Sequence, residues 1–423
     1  MTMTKIKLQS LTYALLVASL PASAQDAAPQ PAPPTTEAEG GTSEDFERGF
    51  GAEGGMSEAD KGTTDADRLK IGGTLAADLY VFGTRDRDYL KNLNTLWVYA
   101  DAQLREDVRA FAKFRGVVDA LPTGGAVGAS IPAARSDVEE LKLMFNAGKA
   151  VFFTAGRQKI KWGAGKFWNP TDVMNSARRD LRYTDDRRSG MDLLKTHVPV
   201  GPANFYLVQG FNGATRVNEI AHAARVEVPW SSGEASLSVA KRRGENTVLG
   251  ADLSFAVWDL DLHAEVAGSS PSNQLRFGPT GPVATNGTHV SWVAGASYEL
   301  PYGDNDSLSL IVEYFRNGDG YAKADYAWPI ANGAYAPYYL AKQYLLAMLL
   351  VPTPGSWNDT TFSLLNLFNL EDGSAYTKFT TGFSFLRDLT WQIGASLNYG
   401  KSDGELRFGG QRYGLETRLL ANF

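Results

Sequence analysis

A cluster of basic side chains near the middle of the chain has the clearest chemical potential. The stretch 157–195 contains ten Lys or Arg residues and five Asp residues. Arg157, Lys159 and Lys161 fall at every second position, so a β-strand would place all three on one face. If that strand crossed a bilayer, this face would have to point at water, since a base at the bilayer midplane costs about 2–4 kcal/mol. Ladders of Lys and Arg along a water-filled passage favour anions.

The connection 163–190 that follows this strand is long and rich in arginine. Its Asn-Pro-Thr-Asp sequence at 169–172 is typical of a turn or of a short capped helix. We expect this connection to fold into the lumen of a barrel and to narrow it. The same side chains could instead pair with the five Asp residues and brace the wall, and the two roles are compatible. The residues predicted to line the constriction are Arg157, Lys159, Lys161, Asp172, Arg178, Arg179, Arg182, Arg187 and Arg188.

Patterns typical of catalytic or metal centres are missing from the sequence. The four histidines are far apart, there is no cysteine, and neither HExxH nor GxSxG occurs. We therefore predict that the protein is not an enzyme, has no catalytic residues, and needs no cofactor and no metal. A surface enzyme that uses His289, which ends a long connection, is the alternative of that class. No nucleic-acid partner is expected.

The elements that would position the basic cluster are β-strands with one apolar and one polar face. In the last strand Tyr413, Leu415, Leu419 and Phe423 lie on one parity, with charged residues on the other. Aromatic residues at both ends of an apolar row are typical of a strand that crosses a bilayer. In lipid its backbone groups must all be paired, so the strand must join the first strand of the same sheet. The pattern therefore predicts a closed antiparallel transmembrane β-barrel.

The same period of two recurs from residue 70 onward in segments of about ten residues, the length that a tilted membrane strand needs. It predicts about eighteen strands, or sixteen if the weak segment 234–242 is not one. Connections alternate between long, as at 83–91, and short, so long loops are expected outside the cell and short turns in the periplasm. The alternative is a soluble protein of two packed sheets. The predicted strands are 70–82, 92–104, 108–119, 137–146, 151–162, 191–198, 203–211, 220–229, 234–242, 247–258, 260–268, 289–300, 307–316, 339–351, 359–369, 375–386, 389–399 and 411–423.

The segments before the first strand differ in composition from the rest. Residues 1–24 have two early lysines, an apolar run and an Ala-Ser-Ala cleavage pattern, which predict a secretory signal peptide. Residues 25–69 are rich in Pro and Gly and contain eleven acids and three bases, which predicts a disordered acidic periplasmic segment. Of the net charge of −6, the signal contributes +2 and the acidic segment −8. The predicted barrel, 70–423, is therefore neutral overall.

Two stretches of the sequence resemble a known group of proteins. GRQKIKWGAGKFWNPTD, residues 156–172, resembles the GRQ…WG…NPTD block of porin-like outer-membrane proteins of Gram-negative bacteria. The end of the chain resembles the aromatic signature that the barrel-assembly machinery reads. The resemblance implies a passive β-barrel channel in the Gram-negative outer membrane, and leaves a homotrimer open. It also implies contact with outer-membrane lipid and lipopolysaccharide.

Together these features predict an outer-membrane porin through which small hydrophilic solutes diffuse, with a weak preference for anions set by the basic constriction. The alternative is a dedicated exporter or importer, for a polysaccharide or a hydrophobic compound, whose acidic segment 25–69 docks a periplasmic partner.

Overall fold

The computed structural model describes residues 68–120, 134–148, 150–175, 177–182, 187–283, 285–302, 306–408 and 410–423. The predicted signal peptide and nearly all of the predicted acidic segment lie outside these residues and stay predictions. Strand β1 begins at Leu69, one residue before the predicted start of the barrel.

Eighteen antiparallel strands, each paired with its neighbours in sequence, form one closed barrel. The count of eighteen is confirmed, and the weak segment 234–242 is a regular strand. Two further three-residue strands, β12 and β13, form a small hairpin within one loop. The strands are Leu69–Gly83 (β1), Asp88–Arg105 (β2), Val108–Asp119 (β3), Ala134–Ala147 (β4), Val151–Gln158 (β5), Met191–Val200 (β6), Ala203–Gly210 (β7), Ala221–Trp230 (β8), Gly233–Lys241 (β9), Val248–Val257 (β10), Leu260–Ser269 (β11), Arg276–Gly278 (β12), Gly281–Val283 (β13), His289–Tyr302 (β14), Asp306–Arg316 (β15), Gln343–Pro352 (β16), Thr360–Asn369 (β17), Ser374–Leu386 (β18), Leu389–Tyr399 (β19) and Tyr413–Asn422 (β20).

The barrel closes where β20 pairs with β1, as the period of two at the end of the sequence predicts. The last residue takes part, because the N–H and C=O groups of Phe423 bond to those of Gly73 at 3.0 and 2.9 Å. On the inner side of this seam Arg418 donates to both oxygens of Asp78, at 2.6 and 2.9 Å. The seam thus combines a continuous backbone ladder with a buried ion pair, and it leaves no strand edge exposed to lipid.

The outer face of the barrel is apolar and the inner face carries the charge. Large aliphatic side chains such as Leu75, Leu249 and Leu415 are exposed on the outside. Exposed aromatic rings lie near both ends of the strands, with Trp258 and Phe423 at one end and Trp292 at the other. These are the features expected of a barrel that is embedded in a bilayer with aromatic girdles at both interfaces. Among the described residues, no helix is long and apolar enough to cross a membrane.

The connections at the two ends of the barrel differ in length, as predicted, but the difference is less regular than expected. We call the end that carries the long loops the outer end. Three of its loops, 159–190, 270–288 and 317–342, are long, whereas 84–87 and 370–373 are tight. The predicted long loop 83–91 is therefore wrong, because β1 and β2 remain paired up to Gly83 and Asp88. At the other end most turns are short, but 353–359 is longer.

Short helical elements occur only as parts of connections in the described residues. They are the α-helix Ala327–Ala331 (α1) and the 3₁₀ turns Val217–Glu219, Lys323–Asp325 and Glu405–Arg407.

An apolar core lies inside the barrel, against β14–β18. Inward-facing Phe315, Tyr344 and Leu346 pack with Trp168 of the loop 159–190 and with Tyr338 of the loop 317–342. This packing explains why the segment 344–351 is apolar on both of its faces: one row faces lipid and the other faces a loop inside the lumen. The rest of the inner wall is free to carry charged groups.

Candidate functional site

The loop 159–190 turns inward and follows the inner wall of the barrel. It leaves the sheet after β5, and its Ile160 and Trp162 pack on the inward-facing Leu193 and Val208 of β6 and β7. The backbone of 166–168 reaches β15, which is the eighth strand from β5 around the barrel. The loop then returns to β3, where Arg115 donates to the carbonyl oxygen of Arg187 at 3.2 Å. A constriction built from this loop is therefore compatible with its course.

The predicted ladder of Arg157, Lys159 and Lys161 on one strand face does not form. β5 ends at Gln158 rather than at residue 162, so only the first of these bases belongs to the strand. Arg157 lies opposite Leu141, on the lipid-facing parity near the outer end, and binds both oxygens of Asp192 at 2.9 and 2.8 Å. Lys159 turns inward and lies 3.8 Å from Glu139. Lys161 is half-buried in the loop.

The remaining predicted residues brace the loop and the structures next to it. Asp172 starts no helix; it accepts hydrogen bonds from Asn175 and from Arg188, the latter at 2.9 Å. The guanidinium group of Arg178 lies 4.8 Å from the centre of the Tyr339 ring. Buried Arg179 donates to the carbonyl oxygen of Lys166 at 2.9 Å.

Arg182 forms a bidentate ion pair with Asp180 within the same loop, with contacts of 3.0 and 2.7 Å. Burial acts to raise the pKa of Asp180, but the hydrogen bonds and charge of Arg182 outweigh it, so this pKa is lowered. Asp180 is therefore an anion at neutral pH and cancels the charge of Arg182. The loop arginines thus fit the bracing role well.

A charged cluster lies where the loop begins and ends, and of its members only Lys159 was predicted as a site residue. Glu139 on β4 is 3.0 Å from Arg115, 3.6 Å from Lys113 and 3.8 Å from Lys159. A bulge in β4 between the partners of Lys113 and Phe114 inserts Glu139 as an extra residue. In the sequence, Lys113 and Arg115 alternate with the apolar residues Ala112 and Phe114, and this pattern places both bases on the inner face of β3. The bulge that brings Glu139 to them has no signal in the sequence.

Within this cluster the bases face the water of the lumen and the carboxylate lies beneath them. The Glu139 side chain is 2% exposed, whereas Lys113 and Lys159 are 29% and 27% exposed. The pattern extends along β2 and β3, since Lys91 and Arg109 are more exposed than their partners Asp119 and Asp101. Asp137 and Glu140 are exceptions, at 33% against 19% for Arg115 and at 12% against 10% for Lys142. On this wall the basic groups are mostly more exposed than the acidic groups with which they pair.

A second buried polar cluster joins three connections at the outer end. Glu405 accepts hydrogen bonds from the backbone N–H of Tyr338 at 2.8 Å, from the Tyr344 hydroxyl at 2.5 Å and from Asn369 at 2.8 Å. Asp372 accepts from the N–H of Glu405 at 2.8 Å and from the same Asn369 side chain. Glu405 therefore holds the loops 317–342 and 400–412 and the turn 370–373 together.

The docking of the loop 400–412 should weaken as the pH rises. Burial, helped by the charge of Asp372, raises the pKa of Glu405 to about 7, although hydrogen bonds from Tyr344 and Tyr338 oppose the shift. A carboxyl group whose pKa is raised in the docked state contributes most at acid pH, and this contribution is lost as the pH rises through about 7. A spin label on Ser402→Cys, in a chain without native cysteine, should become more mobile as the pH rises from about 4.5 to about 7.

Glu405→Gln is the control for this titration, since it removes the ionisable group. Its label should show no change in mobility over the same pH range. A wild-type label with pH-independent mobility would contradict the role of Glu405.

In the described part of the chain, no group of three or more His, Cys, Asp or Glu side chains is arranged to hold a metal ion. His289, the residue considered for a surface enzyme, lies 2.9 Å from Asp319 and 3.2 Å from the carbonyl oxygen of Gly318. These contacts fix the start of β14 against the loop 317–342.

Comparison with known protein families and with curated sequences finds no match. Solved structures do match. OccAB1 of Acinetobacter baumannii has a TM-score of 0.56 at 10% identity, over 86% of this chain and 98% of that chain. OpdK of Pseudomonas aeruginosa, solved with vanillate, has a TM-score of 0.54 at 10% identity, over 84% and 99%. The chain shares their barrel fold. OccK2 (OpdF) of Pseudomonas aeruginosa, in complex with glucuronate, has a TM-score of 0.51 at 13% identity, over 84% and 98%.

Proposed function

We propose that this protein is a porin of the Gram-negative outer membrane, through which small hydrophilic solutes diffuse passively with a weak preference for anions. The apolar outer face and the aromatic girdles suit a bilayer, and the charged inner face suits a water-filled lumen. The long loops would then face the outside of the cell and contact lipopolysaccharide. The terminal strand, with its exposed Phe423, would serve the barrel-assembly machinery as its recognition signal.

The anion preference rests on the wall of β2–β4, where most bases are more exposed than the carboxylates with which they pair. Three bases, Lys113, Arg115 and Lys159, share two carboxylates, those of Asp137 and of the buried Glu139, so this cluster has a net charge of +1. Two of the bases are also far more exposed to the lumen than the Glu139 carboxylate. Charged side chains that line a pore raise the local concentration of ions of the opposite sign. The wall therefore favours anions over cations.

The ligands of the similar structures agree with this preference. Vanillate and glucuronate, the molecules that the OpdK and OccK2 structures contain, each carry one carboxylate group. A monocarboxylate of that size is a reasonable class of solute for a barrel of the same fold and a cationic inner wall. We extend this class to the present chain as part of the proposal.

Liposome swelling tests the channel function directly. Liposomes that contain the refolded protein should swell in isotonic solutions of small neutral sugars and of small monocarboxylates, and faster in the monocarboxylates. Protein-free liposomes are the control. Absence of swelling in every solute would remove the porin proposal, and equal rates for neutral and anionic solutes of one size would remove the anion preference alone.

A further inference from the structure

Two buried glutamates on the inner wall bind the main chain of the loop 159–190. Glu313 on β15 has no exposed surface. Its carboxylate accepts hydrogen bonds from three consecutive backbone N–H groups: Lys166 at 2.7 Å, Phe167 at 3.2 Å and Trp168 at 2.8 Å. His263 Nε2 of β11 lies 3.0 Å from the same carboxylate. Four polar hydrogens can thus converge on one group that, when ionised, only accepts.

Glu265 on β11 binds the same segment at its two ends. It accepts from the backbone N–H of Gly165 at 3.1 Å and from the N–H and hydroxyl groups of Thr171 at 2.5 and 2.7 Å. A Cβ atom on Gly163 would lie 2.1 Å from this carboxylate, and its φ is 106°. Glycine at this position therefore permits the close approach of the loop to the wall.

The contacts of the two glutamates fix the segment 165–171 by its backbone rather than by its basic side chains. Packing adds to them, since buried Trp168 stacks on Phe315 at 5.3 Å and donates to the carbonyl oxygen of Tyr338 at 3.2 Å. The segment is therefore held back against β11 and β15, away from the charged wall of β2–β4. Each carboxyl group accepts several hydrogen bonds from the segment at once, and burial excludes the water that would compete for them.

We propose that Glu265 and Glu313 are positioning residues that latch the segment 165–171 to the inner wall and so keep the passage open. The inference rests on the proposed porin function. Without the latch the segment would move into the lumen and block it intermittently. Glutamine is a poor replacement for either glutamate, because it keeps one accepting oxygen and places an NH₂ group, which only donates, where the second accepting oxygen was.

Hydrogen exchange of the wild-type protein in detergent tests the latch without any variant and without any assumption about transport. The amides of residues 166–168 belong to no strand, yet they should exchange slowly, at rates close to those of the adjacent strands. In Glu313→Gln they should exchange about ten- to a hundredfold faster, as expected for the loss of charge-assisted hydrogen bonds. Wild-type amides that exchange as fast as those of the exposed stretch 401–403 would overturn the latch.

Single-channel recording tests whether the latch keeps the passage open. Glu313→Gln and Glu265→Gln should show brief closures and a lower time-averaged conductance than wild type. Glu299→Gln is the matched control, since Glu299 shares the inward parity of β14 but lies near the opposite end of the barrel; its current should show none of these closures. Faster exchange with unaltered current would overturn the gating role. A wild-type protein that exchanges slowly at 166–168 but forms no channel would refute the porin function and leave the latch standing.

Discussion

Replacing Lys113 and Lys159 together by glutamine should remove most of the preference for anions. The double variant keeps Arg115, 3.0 Å from Glu139, so the buried carboxylate retains a partner and the barrel should fold. Counting Asp137, which also contacts Arg115, the local charge of the cluster falls from +1 to −1. A unit charge about 5 Å from an ion in water is worth roughly 0.8 kcal/mol, and salt reduces this value. We expect the chloride-to-potassium permeability ratio, measured in planar bilayers, to fall several-fold.

Lys401→Gln is the control for the double variant. Lys401 is an exposed base of the loop 400–412 at the outer end of the barrel and belongs to none of the strands β2–β4, so its replacement should leave the permeability ratio unchanged. If the double variant kept the wild-type ratio at low salt, the wall of β2–β4 would not set the selectivity. An equal change in Lys401→Gln would point to surface charge in general.

Glu139→Gln should destabilise the barrel and strengthen the preference for anions at the same time. The substitution leaves Lys113, Arg115 and Lys159 together without their shared carboxylate, which is 2% exposed. Removing one partner of a fully buried ion pair costs about 3–5 kcal/mol; because these bases are 19–29% exposed and Arg115 keeps Asp137, we expect a smaller cost of about 1–3 kcal/mol. Unfolding in urea, followed by tryptophan fluorescence in detergent, should show a loss of this order. Because the uncompensated positive charge rises, the chloride-to-potassium permeability ratio should rise.

Asp403→Asn is the control for Glu139→Gln, because it removes a carboxylate from an exposed ion pair. Asp403 lies 2.7 Å from Lys323 but is largely exposed, and exposed pairs contribute little. Its unfolding curve should superimpose on that of wild type. The account of Glu139 would be wrong if Glu139→Gln were as stable as Asp403→Asn, or if stability and anion preference fell together.

The barrel was predictable because each membrane strand shows its two faces directly in the sequence. The terminal strand is the best case, since the alternation of Leu415 and Leu419 with Glu416 and Arg418 fixed the outer face, the inner face and the partner strand. Most strand boundaries were found within a few residues. The number of strands followed from the repeat of this pattern.

The overextension of β5 has a physical cause. Ile160 and Trp162 continue the apolar row of the strand, but they are buried against Leu193 and Val208 inside the barrel rather than facing lipid. Apolar residues at every second position show that one face of a strand is covered, but they do not show whether lipid or protein covers that face. For the same reason the loop could be recognised as long and basic, whereas its contacts with Glu265 and Glu313, about a hundred or more residues away, could not be predicted.

The sign of the zero-current potential across a planar bilayer tests the central claim most directly. With purified wild-type protein and a gradient of potassium chloride, whose two ions have similar mobilities, the account predicts a potential set mainly by chloride. The magnitude should fall as the mean salt concentration is raised, because salt screens the bases of the inner wall. A potential set mainly by potassium would contradict the account.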